Sequence, residues 1–200
     1  MWVMSSENFR SVVVMGGGPA GLMAAEVLAS AGCVVDVYDA MPSLGRKFLR
    51  AGIGGLNLTH SEPPERFIRR YGDRPLALQT ALDQFGPSAL RDWVHGLGID
   101  TFVGSSGRVF PSQMKASPLL RAWLQRLYSL GVRTHVRHRW HGWHSDGRLH
   151  VTQGDQTLAL QPAATVLALG GGSWPQLGSD GAWVPWLQAR HVQVLALQSA

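Results

Sequence analysis

The chain has 200 residues, of which 45% are hydrophobic and 16% are charged, a composition that supports a folded core and excludes a disordered protein. No apolar run reaches the roughly 18–20 residues of a transmembrane helix, and the N-terminus lacks the pattern of a secretory signal, so we expect a soluble cytoplasmic protein with no membrane partner. The net charge is +5, but the basic residues are scattered and not interleaved with the eight Trp, so we expect no nucleic-acid partner.

Residues 11–39 predict a strand, a tight turn, a helix and a second strand, and the rest of the chain is organised around them. Val12, Val13 and Val14 form a β-branched run that is typical of a strand buried on both faces of a parallel sheet. Gly32 is expected to end the helix, and Asp39 ends the second strand. The pattern indicates a βαβ unit.

The turn in this unit has the spacing Gly16-x-Gly18-x-x-Gly21, which is typical of dinucleotide-binding folds. Gly16 permits the sharp turn, Gly18 lets a pyrophosphate approach the backbone, and Gly21 lets the helix pack on the strand. Asp39 lies where an acid binds the hydroxyls of an unphosphorylated ribose, which favours FAD or NAD over NADP. A turn that only connects the strand to the helix is the alternative.

Residues 40–60 predict a long ordered loop after the carboxyl end of the second strand, where an open α/β sheet holds its ligand. Arg46 and Lys47 are placed to meet phosphate, and Gly54 and Gly55 let the backbone approach a flat ring. The alternative is a flexible surface loop with solvated charges.

Short helices are expected at 62–71, 76–85 and 88–96, and together they indicate a helical insertion over about residues 61–97. A hairpin is expected from the two short runs 101–103 and 108–111.

Ser117 is expected to cap a helix that has Pro118 at its first position and ends at Gly131. Beyond it, residues 132–143 predict a strand or hairpin, with further strands at 148–151 and 157–160.

Four histidines recur at intervals of three in this region, but on a strand they would point alternately to opposite faces, so we expect no metal site. These residues are His135, His138, His141 and His144.

Residues 165–169 predict another buried strand that leads into a second glycine-rich turn, and the strand with its turn spans 165–172. A strand followed by such a turn suggests that the chain returns to the same ligand, although a connection without a ligand is the alternative. Residues 182–189 predict a short helix interrupted by Pro185, and 192–197 predict the start of a strand.

Several separated motifs resemble one known family. They include Gly-Gly-Gly-Pro-Ala-Gly-Leu-Met-Ala-Ala, Gly-Arg-Lys-Phe-Leu-Arg-Ala-Gly, Gly-Leu-Asn-Leu-Thr-His, Gly-Arg-Val-Phe-Pro and Leu-Ala-Leu-Gly-Gly-Gly-Ser-Trp-Pro-Gln-Leu-Gly-Ser-Asp-Gly. In this order they resemble the BaiN-type (HI0933-like) NAD(P)/FAD-dependent oxidoreductases, over nearly the whole chain. Members are about twice as long, so this chain is expected to be a truncated copy that lacks an inserted domain and the last cofactor-binding strand.

The resemblance implies a Rossmann-like, glutathione-reductase-type FAD-binding α/β fold over residues 1–200, with a parallel sheet, a helical insertion and a small β-meander. It implies that the pyrophosphate lies at the first turn, the ribose at Asp39, and the flavin end near Gly54, Gly55 and Asn57. It places the backbone of Trp140 at the adenine. The implied cofactor-binding residues are Gly16, Gly18, Pro19, Ala20, Gly21, Asp39, Arg46, Lys47, Gly54, Gly55, Asn57, Trp140, Ala168, Leu169, Gly170 and Gly171.

The resemblance also implies a flavin reduced by NADH or NADPH that passes hydride to an unknown acceptor. No side chain is identified as a general acid or base, and His60 and Lys47 are only nearby candidates. Relatives carry Gly-Gly-Arg-Cys-Asn where this chain has Gly54-Gly-Leu-Asn57, so a role for that cysteine is absent here.

One alternative is a noncatalytic dinucleotide-binding or partner-binding module, which predicts bound flavin that NADH and NADPH do not reduce. Another is a truncated remnant without independent activity, which predicts a colourless protein that does not bind added FAD. An RNA-binding surface over 132–144 predicts steep salt dependence of RNA binding and no flavin.

Overall fold

The computed structural model describes residues 10–72 and 75–198. Its helices and strands, in chain order, are β1 Ser11–Met15, α1 Pro19–Ser30, β2 Val34–Asp39, α2 Arg46–Ala51, β3 Thr59–His60, α3 Pro64–Phe67, α4 Pro75–Gln84, α5 Pro87–Gly96, β4 Thr101–Val103, β5 Arg108–Pro111, α6 Ala116–Ser129, β6 Arg133–Val136, β7 Arg139–Trp143, β8 Leu149–Gln153, β9 Gln156–Leu160, β10 Ala164–Leu167 and α7 Val184–Gln188. Single 3-10 turns occupy Ile68–Tyr71 and Pro175–Leu177.

The chain divides into two compact units. The first combines Met1–Lys47 with Leu127–Ala200, and the second is the continuous segment Phe48–Arg126. The predicted helical insertion over about 61–97 falls within the second unit. That the whole chain forms one domain stays a prediction.

A four-stranded parallel sheet forms the centre of the first unit, in the order β10-β1-β2-β6. Strand β1 pairs on one side with β2 and on the other with β10, which confirms the predicted parallel sheet. Its valines are all buried, as expected for a strand that is covered on both faces. The first βαβ unit therefore forms as the sequence predicts.

An antiparallel sheet, β7-β8-β9, packs against this parallel sheet. Val13 and Met15 of β1 and Tyr38 of β2 share one buried cluster with Trp140 of β7 and Val151 of β8. Alternation along β1 places Val12 and Val14 on the opposite face of the sheet. The continuous apolar run of β1 thus places buried side chains on both faces of the parallel sheet, and the antiparallel sheet packs on one of these faces.

The second unit has a three-stranded antiparallel sheet, β3-β5-β4, together with the helices α3, α4 and α5. Strands β4 and β5 pair as the predicted hairpin. Its buried cluster contains Leu56, Val94, Ala116 and Leu119. This unit therefore has a core of its own.

Two predictions for the middle of the chain are wrong. Residues 40–60 are not one loop, because Arg46–Ala51 forms α2. This run contains good helix formers and no glycine, and Gly45 and Gly52 flank it. Residues 132–143 are not one strand or hairpin. Strand β6 joins the parallel sheet and β7 joins the antiparallel one, and the chain passes between them at Arg137, whose φ is 60°.

The helix predicted at 62–71 is divided into α3 and a 3-10 turn, and α6 begins at Ala116, so Ser117 lies inside its first turn instead of capping it. Pro118 fits there because its missing N–H is not needed in the first turn. Pro185 likewise lies at the start of α7 and does not interrupt it.

The strand predicted at 192–197 is wrong, because residues 192–198 have no regular secondary structure. Val192, Leu195 and Leu197 are exposed there. A mainly apolar run does not form a strand by itself when no strand of the described residues pairs with it.

Candidate dinucleotide site

The turn between β1 and α1 is constrained differently at each of its three glycines. Gly16 has a φ of 110°, and a side chain there would overlap the carbonyl oxygen of Ala168. A side chain at Gly21 would overlap the carbonyl oxygen of Gly16. Gly18 has a φ of −81°, and a Cβ there would meet no atom of the described residues within 4 Å. The space over Gly18 is therefore open, while the other two glycines serve the fold.

Helix α1 begins directly at this turn. Gly18 occupies the N-cap position, Pro19 begins the helix, and no side chain caps it or places an acidic group in its first turn. Pro19 and Ala20 are exposed. Backbone N–H groups at a helix start carry a partial positive charge and bind anions. The turn thus offers an anion site next to the open space at Gly18.

The carboxylate of Asp39 connects the end of β2 to the glycine turn. The N–H of Gly17 donates to its Oδ2 at 2.6 Å, and the N–H of Met41 donates to its Oδ1 at 2.7 Å. Burial raises the pKa of Asp39, although these two hydrogen bonds and the charges of Arg139 and Arg46 oppose the increase. The fold therefore fixes this acid in one orientation beside the turn.

Helix α2 begins beside the same turn, because the N–H of Gly45 donates to the carbonyl of Gly17 at 2.9 Å. Arg46 donates to Ser43 Oγ at 3.4 Å, and its Nε is buried with no hydrogen-bond partner in residues 10–72 and 75–198. Lys47 Nζ donates to Ser173 Oγ at 3.1 Å and to Ser179 Oγ at 3.2 Å. The two predicted cations thus lie in the first unit, but Lys47 already has two hydroxyl partners.

The second predicted strand and turn return to the first. The N–H of Ala168 donates to the carbonyl of Met15 at 2.8 Å, directly before the first glycine turn. Gly170 has a φ of 71°, and its carbonyl accepts the indole N–H of Trp183 at 3.0 Å. The side chain of Leu169 packs against the cluster that contains Met15. The structure therefore brings the two glycine-rich turns together.

A small cavity lies at the carboxyl ends of β1 and β2. Trp140, which is 4% exposed, lines it, and its indole Nε1 has no hydrogen-bond partner in the part of the chain that the structure describes. Trp140 lies on β7 of the antiparallel sheet, and its backbone contact with adenine stays a prediction. The cavity is lined by Met15, Gly16, Tyr38, Asp39, Ala40, His138, Arg139, Trp140, Leu169, Gly178, Asp180, Ala182, Trp183 and Trp186.

The predicted flavin-end residues belong to the second unit. Gly55 has a φ of 124°, Asn57 is exposed, and the N–H of Leu56 donates to the carbonyl of Met114 at 2.8 Å. The positions of Gly54, Gly55 and Asn57 along a cofactor therefore stay a prediction.

His60 has a structural environment in the second unit. Its Nδ1 accepts the N–H of Glu62 at 3.1 Å, which leaves the proton of a neutral ring on Nε2, 3.0 Å from the carbonyl oxygen of Ser106. Both ring nitrogens of His60 thus contact backbone groups of the second unit.

No group of three or more His, Cys, Asp or Glu side chains in residues 10–72 and 75–198 can hold a metal ion. The four histidines at intervals of three lie on or beside two strands of different sheets. None of the helices in the described ranges is long and apolar enough to cross a membrane.

The sequence did not indicate Ser173 and Ser179 as partners of Lys47, nor Trp183 as a donor to the second turn. They follow the turn within about a dozen residues, but no spacing rule connects them with Lys47. Their position after a glycine-rich turn was the only available signal.

A parallel sheet, an uncapped helix start at an open glycine, and a fixed acid at the end of β2 define a Rossmann-type domain of the dinucleotide-binding class. The chain belongs to the family described as the HI0933-like protein Rossmann domain, whose model matches residues 10–198. This confirms the family that the motifs resemble.

Solved structures share the fold at low sequence identity. A 3-ketosteroid-delta4-(5alpha)-dehydrogenase from Rhodococcus jostii RHA1, in complex with 4-androstene-3,17-dione, is 17% identical over 89% of this chain and 53% of its own, with a TM-score of 0.66. THI4 from Thermovibrio ammonificans is 17% identical over 93% of this chain and 65% of its own, with a TM-score of 0.57. A flavocytochrome c3 fumarate reductase in an open conformation is 22% identical over 81% of this chain and 34% of its own, also with a TM-score of 0.57.

This chain therefore spans between about a third and two thirds of the length of these structures. At these identities the likeness shows the fold.

Proposed function

We propose that the first unit binds FAD and forms the flavin-binding part of an oxidoreductase that uses NADH or NADPH as reductant. The observation that carries this proposal is the open space at Gly18, the residue at the uncapped N-terminus of α1. A glycine that the fold itself does not require is expected where a ligand must approach the backbone.

The residues of the first unit fit the chemistry of a dinucleotide. The N–H groups at the start of α1 would bind the pyrophosphate. Asp39 keeps unused lone pairs on both oxygens after accepting two backbone N–H groups, so it would accept the ribose hydroxyls. The unpartnered Nε of Arg46 supplies a further donor beside the turn.

Membership of the family supports a flavin over free NAD, and one structural relative is by name a flavocytochrome. When bound, a flavin supplies hydride and single-electron transfer that protein side chains cannot perform. In this chain the described residues bind and orient the cofactor.

The first experiment is the visible absorption spectrum of the purified chain, followed by heat release and identification of the chromophore. Stoichiometric FAD supports the proposal. A colourless protein that also fails to bind added FAD contradicts it. Anaerobic titration with NADH and NADPH then separates an oxidoreductase, in which the flavin is bleached, from a noncatalytic module, in which it is not.

The variant Asp39→Asn tests the placement of the ribose. We expect it to weaken FAD binding by about tenfold. The amide loses the charge-assisted hydrogen bond to the ribose, and its NH2 group faces a backbone N–H that the carboxylate accepts in the wild type. Asp155→Asn, on an exposed turn between β8 and β9, is the matched control and is expected to bind FAD as the wild type does. Unchanged affinity in Asp39→Asn, measured by fluorescence titration, would contradict this placement.

A further inference from the structure

Lys47 is bound by two hydroxyl groups that lie far from it in sequence. Its ammonium donates to Ser173 Oγ at 3.1 Å and to Ser179 Oγ at 3.2 Å. Both serines follow the second glycine-rich turn, and Ser179 is 3% exposed. Among the residues that the structure describes, Lys47 makes no ion pair, so its contacts are to neutral acceptors only.

The backbone next to Lys47 is attached to the first glycine turn. Gly45, two residues earlier, donates its N–H to the carbonyl of Gly17 at 2.9 Å. Lys47 lies in the first turn of α2, which begins at Arg46. The backbone that leads into Lys47 is therefore attached to the first turn.

The serines are attached to the second turn. Ser179 and Trp174 exchange backbone hydrogen bonds of 3.1 and 3.2 Å, and the Oγ of Ser179 lies so close to Gly170 that a Cβ there would approach it to 2.7 Å. Trp183, four residues after Ser179, donates its indole N–H to the carbonyl of Gly170. The ammonium of Lys47 thus joins the first turn to the segment that fixes the second.

We infer that Lys47 is a positioning residue, which acts through Ser173 and Ser179 to hold the two glycine-rich turns in the arrangement that receives the cofactor. This inference rests on the proposed FAD binding. It differs from a phosphate contact, because the lysine acts through hydrogen bonds within the protein and its charge is not directed at the cofactor.

The two roles predict different results for variants of the serines. If Lys47 contacts phosphate directly, Lys47→Met weakens FAD binding and the Ser173→Ala, Ser179→Ala double variant does not. If Lys47 acts through the serines, both changes weaken binding by a similar factor, about tenfold, and their combination weakens it little further.

The measurement is the dissociation constant of FAD for each variant of the purified chain, by fluorescence titration at two salt concentrations. Lys47→Arg keeps a donor of the same charge and is expected to restore most of the affinity. The salt dependence of binding is expected to change no more in Lys47→Met than in Lys115→Met, the matched control at the exposed second lysine of the chain.

Ser179 is buried, so its substitution can also lower the stability of the fold. Ser173 is exposed, so the single variant Ser173→Ala tests the hydrogen bond to Lys47 without removing a buried hydroxyl. We expect Ser173→Ala to leave the unfolding temperature of the FAD-free chain unchanged and to weaken FAD binding. Wild-type affinity in both Ser173→Ala and the double variant, with weak binding in Lys47→Met, would overturn the inference. Absence of FAD binding in the wild type would instead overturn the proposed function.

Discussion

The three glycines of the first turn have the same side chain but three different physical reasons for it. Gly16 provides a positive φ, Gly21 provides contact between the helix and the turn, and Gly18 leaves open space. The first two reasons concern folding, and the third is the one that the proposed FAD binding would explain. Substitution can therefore separate stability from binding within six residues.

We expect Gly18→Ala to fold and to bind FAD poorly. The φ of −81° suits alanine, and the new Cβ meets no protein atom, so the free energy of unfolding should change by less than about 0.5 kcal/mol. The methyl group lies where the pyrophosphate must approach, so the dissociation constant should rise by about tenfold or more. Denaturant unfolding and FAD titration of the same preparation measure both effects.

Gly21→Ala is the counterpart in the same turn. Its Cβ would overlap the carbonyl of Gly16, and overpacking of this kind costs about 1–3 kcal/mol. Equal loss of stability in the two variants would show that Gly18 also serves the fold. Wild-type FAD affinity in Gly18→Ala would place the cofactor elsewhere.

At the scale of elements, β2 and β6 are joined by an ionic cluster in addition to their backbone pairing. Arg133 of β6 donates to both oxygens of Asp36 of β2, at 2.9 and 2.5 Å, and His135 Nε2 lies 2.7 Å from Oδ1. Burial alone would raise the pKa of Asp36, but the hydrogen bonds and charges of Arg133 and His135 together lower it below its usual 3.8.

This cluster predicts acid sensitivity. Because the pKa of Asp36 is lower in the folded chain than in the unfolded one, its contribution is complete above the usual value of 3.8 and is lost as the pH falls through the lowered pKa. Asp36→Asn should lower the free energy of unfolding by about 1 kcal/mol at neutral pH, since Arg133 is largely exposed and its charge is screened. The difference from the wild type should shrink towards about pH 3.

Urea unfolding of both chains from about pH 3 to about pH 7 measures this dependence. Asp155→Asn serves as a control without a described partner in β6. A difference between wild type and Asp36→Asn that stays constant across this range would show that the carboxylate of Asp36 does not stabilise the pairing by its charge.

For the whole molecule, the sequence predicted those elements whose pattern is local. The valines of β1, the glycines of the turn and the proline-punctuated helices each carry their signal within a few residues. The sequence did not predict that the chain leaves the parallel sheet after β6 and joins the antiparallel sheet at β7. A run of β-forming residues does not show which sheet each part joins, nor that a residue with positive φ, Arg137, divides the run. The link from Lys47 to Ser173 and Ser179 was missed for the same reason, since it depends on contacts across more than a hundred residues.

The net charge of the whole chain gives the last prediction. FAD is anionic, and a chain with a net charge of +5 attracts it through a field that dissolved ions screen. We expect the dissociation constant of FAD to rise by about threefold to tenfold between about 50 mM and about 500 mM salt.

Arg46→Gln should reduce this salt dependence more than Lys115→Met, because Arg46 lies beside the first turn and Lys115 lies in the second unit. Equal slopes in the two variants would mean that the field of the whole chain, and not a local contact of Arg46, attracts the cofactor. A chain that instead bound RNA with a steep salt dependence and took up no flavin would contradict the proposed function and favour a basic surface over residues 132–144.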